Sequence, residues 1–296
     1  RAQLRCLRIV VFTPQARRRP QLTNTDLRQQ IRKTQAMVLI GMRQHEGGKI
    51  RLPINDREGI NEAINNRDFV PFYQPIVRLE DGVVIGHEAL LRWRHERRGL
   101  LLPAEFISLG EDSGLIEQVD WLLYEQVVAQ LARGGEGYVS VNVSPRHFRS
   151  PDFADRLLAM FDAVGADPAR MRVEITEVAL LDDAPRTLEC LDLLRRHGVL
   201  AQLDDFGTGF SALSYLHRFP IASLKIDRSF VAGLDGETST ESVAVIRAIV
   251  ALATSLGIEQ IAEGVETMRQ RDRLNELGCT YAQGYLYSLP QPLPVT

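Results

Sequence analysis

Short runs rich in β-branched residues alternate with longer amphipathic stretches from Phe69 to the C-terminus. The short runs are FVPFYQPIVRL, VVIGHEALLRW, YVSVNVSP, MRVEITE, LAQLDDF, SLKID, EQIAEGV and YAQGYLYS. Their length, their β-branched content and the turn residues around them read as strands. Between them, helical spacing of apolar positions predicts helices over Leu115–Leu131, Phe153–Val164, Ala184–His197, Glu241–Leu256 and Glu266–Leu277. Eight strands with intervening helices predict an α/β fold, a (β/α)8 TIM-like barrel rather than an open sheet. The first two runs are joined by Glu80-Asp81-Gly82, a hairpin signal. The first strand is therefore expected to pair antiparallel, a departure from the regular barrel.

Polar residues break this pattern where the strands end. Those positions hold Glu88, Asn142, Glu174 with Glu177, Asp204 with Asp205, Lys225 with Asp227, Glu263 and Gln283. In such barrels the C-terminal strand ends form the active-site face. A single acid there is ordinarily a helix cap or a salt bridge. Carboxylates from five strands on one rim would repel one another and raise each other's pKa values, unless divalent cations sit among them. Oxygen donors without His or Cys favour Mg²⁺ or Mn²⁺ over zinc. Adjacent aspartates let one bridge while its neighbour serves a second ion. Two ions about 3.5–4 Å apart activate water and stabilise a leaving oxygen in phosphodiester displacement. Lys225 among carboxylates has a raised pKa, so positioning water suits it better than acting as a base. The six histidines, His45, His87, His95, His147, His197 and His217, show no ligand spacing and read as surface or satisfied polar residues. Gly207 and Gly209 read as turn glycines rather than a phosphate cradle.

Composition adds the surroundings. The 296 residues are 45% apolar and 25% charged, ordinary globular values. Cys6, Cys190 and Cys279 have neither disulfide nor zinc spacing, which suggests a reducing cytoplasm. No uninterrupted apolar run approaches the roughly 18 residues of a membrane span. Charge is uneven: Arg1–Leu52 holds twelve Lys/Arg and two Asp/Glu, leaving 23 basic and 36 acidic residues for the rest. This divides the chain into a basic extension, 1–55, with a helix expected over Thr23–Met42, and a barrel domain, 56–296. The extension lacks zinc spacing and a recognition helix, which argues against a nucleic-acid polymer as partner. It reads better as an arm docked on the acidic body or the remnant of an upstream neighbour.

The ordered motifs EALLRW at Glu88–Trp93, VNVSP, EITE, DDFGTGFSAL, LKID, AEGVE and QGYLYS resemble the EAL-domain family. Its members are cyclic di-GMP phosphodiesterases of bacterial signalling. The resemblance runs from Asp56 to Leu293 and implies hydrolysis of one phosphodiester bond to linear pGpG with Mg²⁺ or Mn²⁺, and inhibition by Ca²⁺. It implies that Glu88, Asn142, Glu174 and Asp204 form a first metal set and that Asp205 and Glu263 serve a second. Lys225 is similar to the lysine that contacts the attacking water. Arg92 matches the phosphate-contacting arginine, Gln74 and Asp227 match substrate contacts, and Gln283 matches a further polar group of the site. Glu177 and the loop Asp205–Ser211 resemble the segment that shapes the second metal site and a homodimer contact. Ala212 departs from the pattern, where many relatives have serine, and no GGDEF-like stretch precedes Asp56.

Two other activities fit the same fold. A catalytically silent cyclic di-GMP receptor lacks metal ligands, and every matched ligand is present here. A glycosidase would use paired carboxylates, but leaves Asn142, Asp204-Asp205 and Lys225 without a role.

Overall fold

The computed structural model describes residues 57–107, 114–207, 216–236 and 239–293. The basic extension, the helix expected over Thr23–Met42, and loop residues 208–215, with Gly209, Ser211 and Ala212, lie outside the described residues. After a helix at Arg57–Asn66 come nine strands: β1 (Phe69–Arg78), β2 (Val84–His95), β3 (Gly99–Leu101), β4 (Tyr138–Asn142), β5 (Met171–Thr176), β6 (Leu200–Phe206), β7 (Ile221–Ile226), β8 (Glu259–Ala262) and β9 (Tyr281–Gln283). Eight are the predicted runs. They close a barrel in the order β1, β2, β4, β5, β6, β7, β8, β9 and back to β1. The unpredicted β3 pairs antiparallel with the far end of β2, Leu101 facing Trp93.

As the hairpin signal implied, β1 is antiparallel to both its neighbours, while the other barrel pairs are parallel. In the turn, Asp81 Oδ1 accepts from Val83 N at 3.1 Å and Gly82 takes φ 72°. Pro71 and Pro75 fit inside β1 because they share the parity of Tyr73, whose N–H points away from β2 to Gln291 O at 2.8 Å. Their missing donors therefore fall on the side away from β2.

The strands have two different faces. Outward positions such as Val139, Val141, Val173, Ile175, Leu203, Leu224 and Ile226 are buried against helical Val119, Leu123, Val127, Leu157, Leu191, Leu194 and Ile246. That shell is the hydrophobic core. The inward positions carry the polar residues. Long helices form at Leu115–Ala132, Phe153–Val164, Ala184–Arg196, Ser239–Leu256 and Met268–Glu276, close to the predicted ranges. The last begins two residues later than predicted because Thr267 and Gln270 cap it reciprocally. Short helices at Pro145–Arg149, Glu177–Asp182 and Arg228–Ala232, which periodicity does not reveal, follow β4, β5 and β7 and are capped by Ser144, Thr176 and Asp227.

Among the described residues, Ser239–Leu256 is the one helix long and apolar enough to cross a bilayer, with mean hydropathy 1.4. It is no uninterrupted apolar run: it contains Glu241 and Arg247 and buries Ile246, Ile249, Val250 and Ala253 while packing on β7 and β8. The backbones of β2 and β4 meet closely at Gly137, where φ is 76° and a Cβ would lie 2.4 Å from Ile85 O. Gly137→Ala should therefore cost about 2 kcal/mol or more. Urea unfolding of the variant tests this, and an unchanged midpoint would mean the two strands can part without cost.

Candidate active site

The strand register stacks the inward residues in layers. Glu88 pairs with Ser140 and Asn142 with Glu174, which pairs with Gln202. Because strands in a closed barrel are tilted, the residues at one height step forward along the chain from strand to strand. The uppermost layer thus holds Gln74, Asn142, Asp204 and Glu263 from β1, β4, β6 and the exit of β8. Beneath it lie Glu88, Glu174, Lys225 and Gln283, from β2, β5, β7 and β9. The sequence places these residues at strand ends, and the fold brings them to one mouth.

Lys225 is their meeting point. Its Nζ lies 2.6 Å from Glu174 Oε2, 2.7 Å from Glu263 Oε1, and 3.3 Å from both Glu88 Oε2 and Asp204 Oδ1. Lys225 is 1% exposed. Around this centre Asn142 Nδ2 donates to Glu88 Oε1 at 3.0 Å, and Gln283 Nε2 donates to Glu88 Oε2 at 2.6 Å. Gln283 also donates to Gln74 Oε1 at 3.0 Å, and Gln74 Nε2 is anchored on Ser288 O at 3.0 Å.

The paired aspartates now have a physical explanation. In a regular strand, neighbours point to opposite faces. Asp205 instead has φ 54°, and the β6–β7 register slips between Leu203 and Phe206. This bulge inserts a residue, and aspartate is among the few residue types that tolerate the left-handed region. One carboxylate oxygen each from Asp204, Asp205 and Glu263 lie within 4.8 Å of one another.

The charges do not balance within the protein. Burial, then Glu88, drives the Glu174 carboxyl well above its usual range, with Lys225 opposing. Burial also raises Glu263, again against Lys225. Burial alone would lower the Lys225 pKa, but Glu174, Glu263, Glu88 and Asp204 together hold it well above normal. Asp205 is raised by burial and then by Asp204. Five carboxylates outnumber the cationic groups beside them, Lys225 with Arg92 and Arg228, so negative charge is in excess when all are ionised. Glu174 Oε1 and Glu177 Oε2 are buried and accept no hydrogen bond from the protein, and Asp204 Oδ1 accepts none beyond its 3.3 Å ion pair with Lys225. An oxygen-only donor set with unpartnered buried oxygens fits hard divalent ions.

The remaining predicted residues surround this centre. Glu177 Oε1 accepts from Gly207 N at 3.1 Å, tying the exit of β5 to the exit of β6. Buried Arg92 donates to Leu91 O at 2.7 Å, with its guanidinium 5.9 Å from the Phe72 ring centre. Asp227 caps Arg228–Ala232, accepting from Ser229 N at 3.0 Å. Sequence reasoning missed the clamp on Asn142. Tyr124 Oη donates to Asn142 O at 3.0 Å, and one turn earlier Asp120 Oδ2 meets His147 Nε2 at 3.0 Å. His147 is a satisfied polar residue as expected, though buried rather than exposed. The i,i+4 spacing of Asp120 and Tyr124 on a predicted helix is the only trace of this clamp in the sequence.

Fold and site together define a (β/α)8 barrel with a cluster of carboxylate oxygens at its C-terminal mouth. The chain belongs to the EAL-domain family, whose family model, described as "EAL domain", matches residues 57–290. It is 40% identical over 234 residues to "Cyclic di-GMP phosphodiesterase RocR" of Pseudomonas aeruginosa, covering 78% of this chain and 59% of the relative. It is 39% identical to "Probable cyclic di-GMP phosphodiesterase PdeG" of Escherichia coli, covering 79% of this chain and 46% of that protein. The solved structure "PaMucR Phosphodiesterase, c-di-GMP complex" matches with TM-score 0.74 at 37% identity, over 79% of this chain and 96% of that one. The chain spans only part of its curated relatives, between 26% and 59% of the length of three of them.

The raised carboxyl groups give a pH signature. Without cations, folded Glu174 and Glu263 hold protons that the unfolded chain has already released, so stability falls as pH rises through that window. For Glu263 the window runs from its ordinary 4.5 to about 8. Lys225 stays protonated in both states there and adds no slope. In EDTA the melting temperature should fall from pH 5 to pH 8, and saturating Mg²⁺ should stabilise most at the alkaline end. Melting curves in EDTA and in Mg²⁺ measure this, and a flat profile in EDTA would contradict the assigned electrostatics.

Proposed function

We propose that this domain hydrolyses one phosphodiester bond of cyclic di-GMP to linear pGpG, using two Mg²⁺ or Mn²⁺ ions. The observation that carries the reading is the gathering of Glu88, Glu174, Asp204 and Glu263 within 3.3 Å of Lys225 Nζ. The names of the relatives support the substrate and the reaction. Glu88, Asn142, Glu174 and Asp204 would hold one ion, and Asp205 with Glu263 a second. When bound, the ions supply Lewis acidity to activate water and stabilise the departing oxygen. Lys225 keeps its proton and positions the attacking water as a hydrogen-bond donor. Arg92 binds a phosphate, Gln74 and Asp227 contact substrate, and Gln283 orients Glu88. Glu177 steadies the Gly207 turn and hence Asp205.

Residues 56–296 are the catalytic unit in this reading, with 1–55 an accessory extension and the domain acting in the cytoplasm as a homodimer. Cys190 and Cys279 are free thiols. A chain lacking 1–55 should keep its turnover and sediment as a dimer at micromolar concentration. A folded, inactive truncation or an active monomer would revise that part.

The decisive experiment separates an enzyme from a silent receptor. Wild type should form pGpG in Mg²⁺ or Mn²⁺, but not in Ca²⁺, whose longer bonds and higher ligand number misplace the reacting groups. Glu88→Ala and Asp204→Asn should lower turnover by roughly two orders of magnitude or more. Their cyclic di-GMP affinity in Ca²⁺, measured by calorimetry, should change far less. Arg92→Ala should show the opposite weighting, losing mainly affinity. Tight binding with no pGpG under any metal would establish the receptor, and full turnover by Glu88→Ala would overturn the site assignment.

A further inference from the structure

The register that assembles the acidic mouth also determines what lies below it. Two residues below Asn142, Asp204, Glu263 and Gln74 come Ser140, Gln202, Ile261 and, on antiparallel β1, Ile76. Strand alternation turns these inward as well, so they form a third layer beneath Glu174 and Lys225. Barrels of this kind ordinarily fill such a layer with bulky branched residues. Here Ile76 and Ile261 are such residues, packed with Tyr138, while Ser140 and Gln202 are polar. Gly86 leaves room that the Tyr138 ring occupies from below, since a Cβ on Gly86 would come within 2.8 Å of that ring.

Ser140, Gln202 and Ser223 are all 0% exposed. Gln202 Nε2 donates to Ser223 Oγ at 2.6 Å and approaches Tyr138 Oη at 3.5 Å. The amide nitrogen is thus engaged from below, which orients the other end of the side chain. Gln202 Oε1 and Ser140 Oγ are both buried without a protein hydrogen-bond partner, and so is Glu174 Oε1 in the layer above. These atoms come from β4, β5 and β6, three successive strands of the barrel, with Glu174 directly paired to Gln202. Two acceptors and a hydroxyl on three successive strands of one dry interior are the kinds of partner a single water needs.

We infer that Ser140 and Gln202 form a binding site for an internal water that supports Glu174 from below, making both positioning residues for the cation site. With cations bound and Glu174 ionised, the water donates one proton to Gln202 Oε1 and the other to the Glu174 carboxylate, and it accepts from the Ser140 hydroxyl. Every hydrogen-bonding group then has a partner of the right sense. Glu174 Oε2 remains on Lys225 Nζ, so the water fixes the rotation of the carboxylate about that contact. Gln202 sits in an otherwise apolar run, Val199–Leu203, and this role accounts for it. The consequence for cation affinity rests on the reading of Glu174 as a cation ligand; the water itself does not.

The test uses wild type, Gln202→Met, which keeps side-chain length without the amide, and Ser140→Ala as the milder variant should Gln202→Met not fold. High-resolution crystal structures look for the water, and calorimetry measures Ca²⁺ affinity without turnover. Wild type should show density between Ser140 Oγ and Gln202 Oε1, and Gln202→Met should lack it. Ca²⁺ affinity should weaken about 10-fold, the usual effect of removing a group that orients a metal ligand. In kinetics, the Mg²⁺ concentration for half-maximal rate should rise while KM for cyclic di-GMP stays near wild type. No water in wild type, or variants with lowered melting temperature but unchanged Ca²⁺ affinity, would overturn the inference. If wild type makes no pGpG yet the water and the affinity loss are present, the positioning role stands and the hydrolytic reading alone fails.

Discussion

Lys225 is an ammonium folded into the middle of a barrel, reached by carboxylates from β2, β5, β6 and the exit of β8. Removing such ions from water costs several kcal/mol each even after relaxation. The burial is sustained only because each charge has partners at hydrogen-bonding range. Remove the lysine, and the acids face one another at low dielectric with nothing between them. The ion cluster depends in turn on the register, because a slip of one residue would turn an acid outward into the hydrophobic shell. Barrel closure and the site are therefore a single constraint.

Two irregularities adapt the barrel to that constraint. The bulge at Asp204-Asp205 lets two neighbouring residues serve one mouth, and the left-handed φ of Asp205 is the strain that accompanies it. The reversal of β1 does something different. It sets Gln74 opposite Glu88 in an antiparallel pair, and it brings Gln283 of β9 within reach of both. The Gln283 amide donates to Gln74 and to Glu88, which holds a carboxylate in place without adding another charge. Amides around the acids are a sensible choice where negative charge is already in excess.

Much of this was legible from residue pattern alone. Strand-end acids stand out because a strand that alternates or runs apolar has no reason to finish on Glu or Asp five times over. The hairpin was readable because Asp81-Gly82 has few other uses. By contrast, β3 is three residues long, and the short helices after β4, β5 and β7 each have too few turns to show a period. The clamp of Asp120 and Tyr124 on His147 and Asn142 joins segments distant in sequence, where local patterns say nothing. Gln202 was hidden for another reason. It lies in an apolar run and looks like an exception, and only its parity with Asp204 reveals that it faces the same interior.

That parity carries the last step. A barrel lined with Leu and Val would pack well beneath the site, but its dry walls would raise the cost of every charge above. Here the interior stays largely polar to its far end, Ile76 and Ile261 apart. Acids and an ammonium at the mouth give way to Ser140, Gln202 and Ser223, then to Arg172, which lies over the Tyr138 ring at 3.8 Å and pairs with Glu259 at 3.1 Å. Tyr281 Oη closes the far end on Glu259 at 3.3 Å. The apolar burial that stabilises the fold is placed outside the barrel, between strands and helices. Separating the two tasks onto opposite faces of the same strands lets the interior remain polar enough to hold charge while the outer face keeps the domain folded.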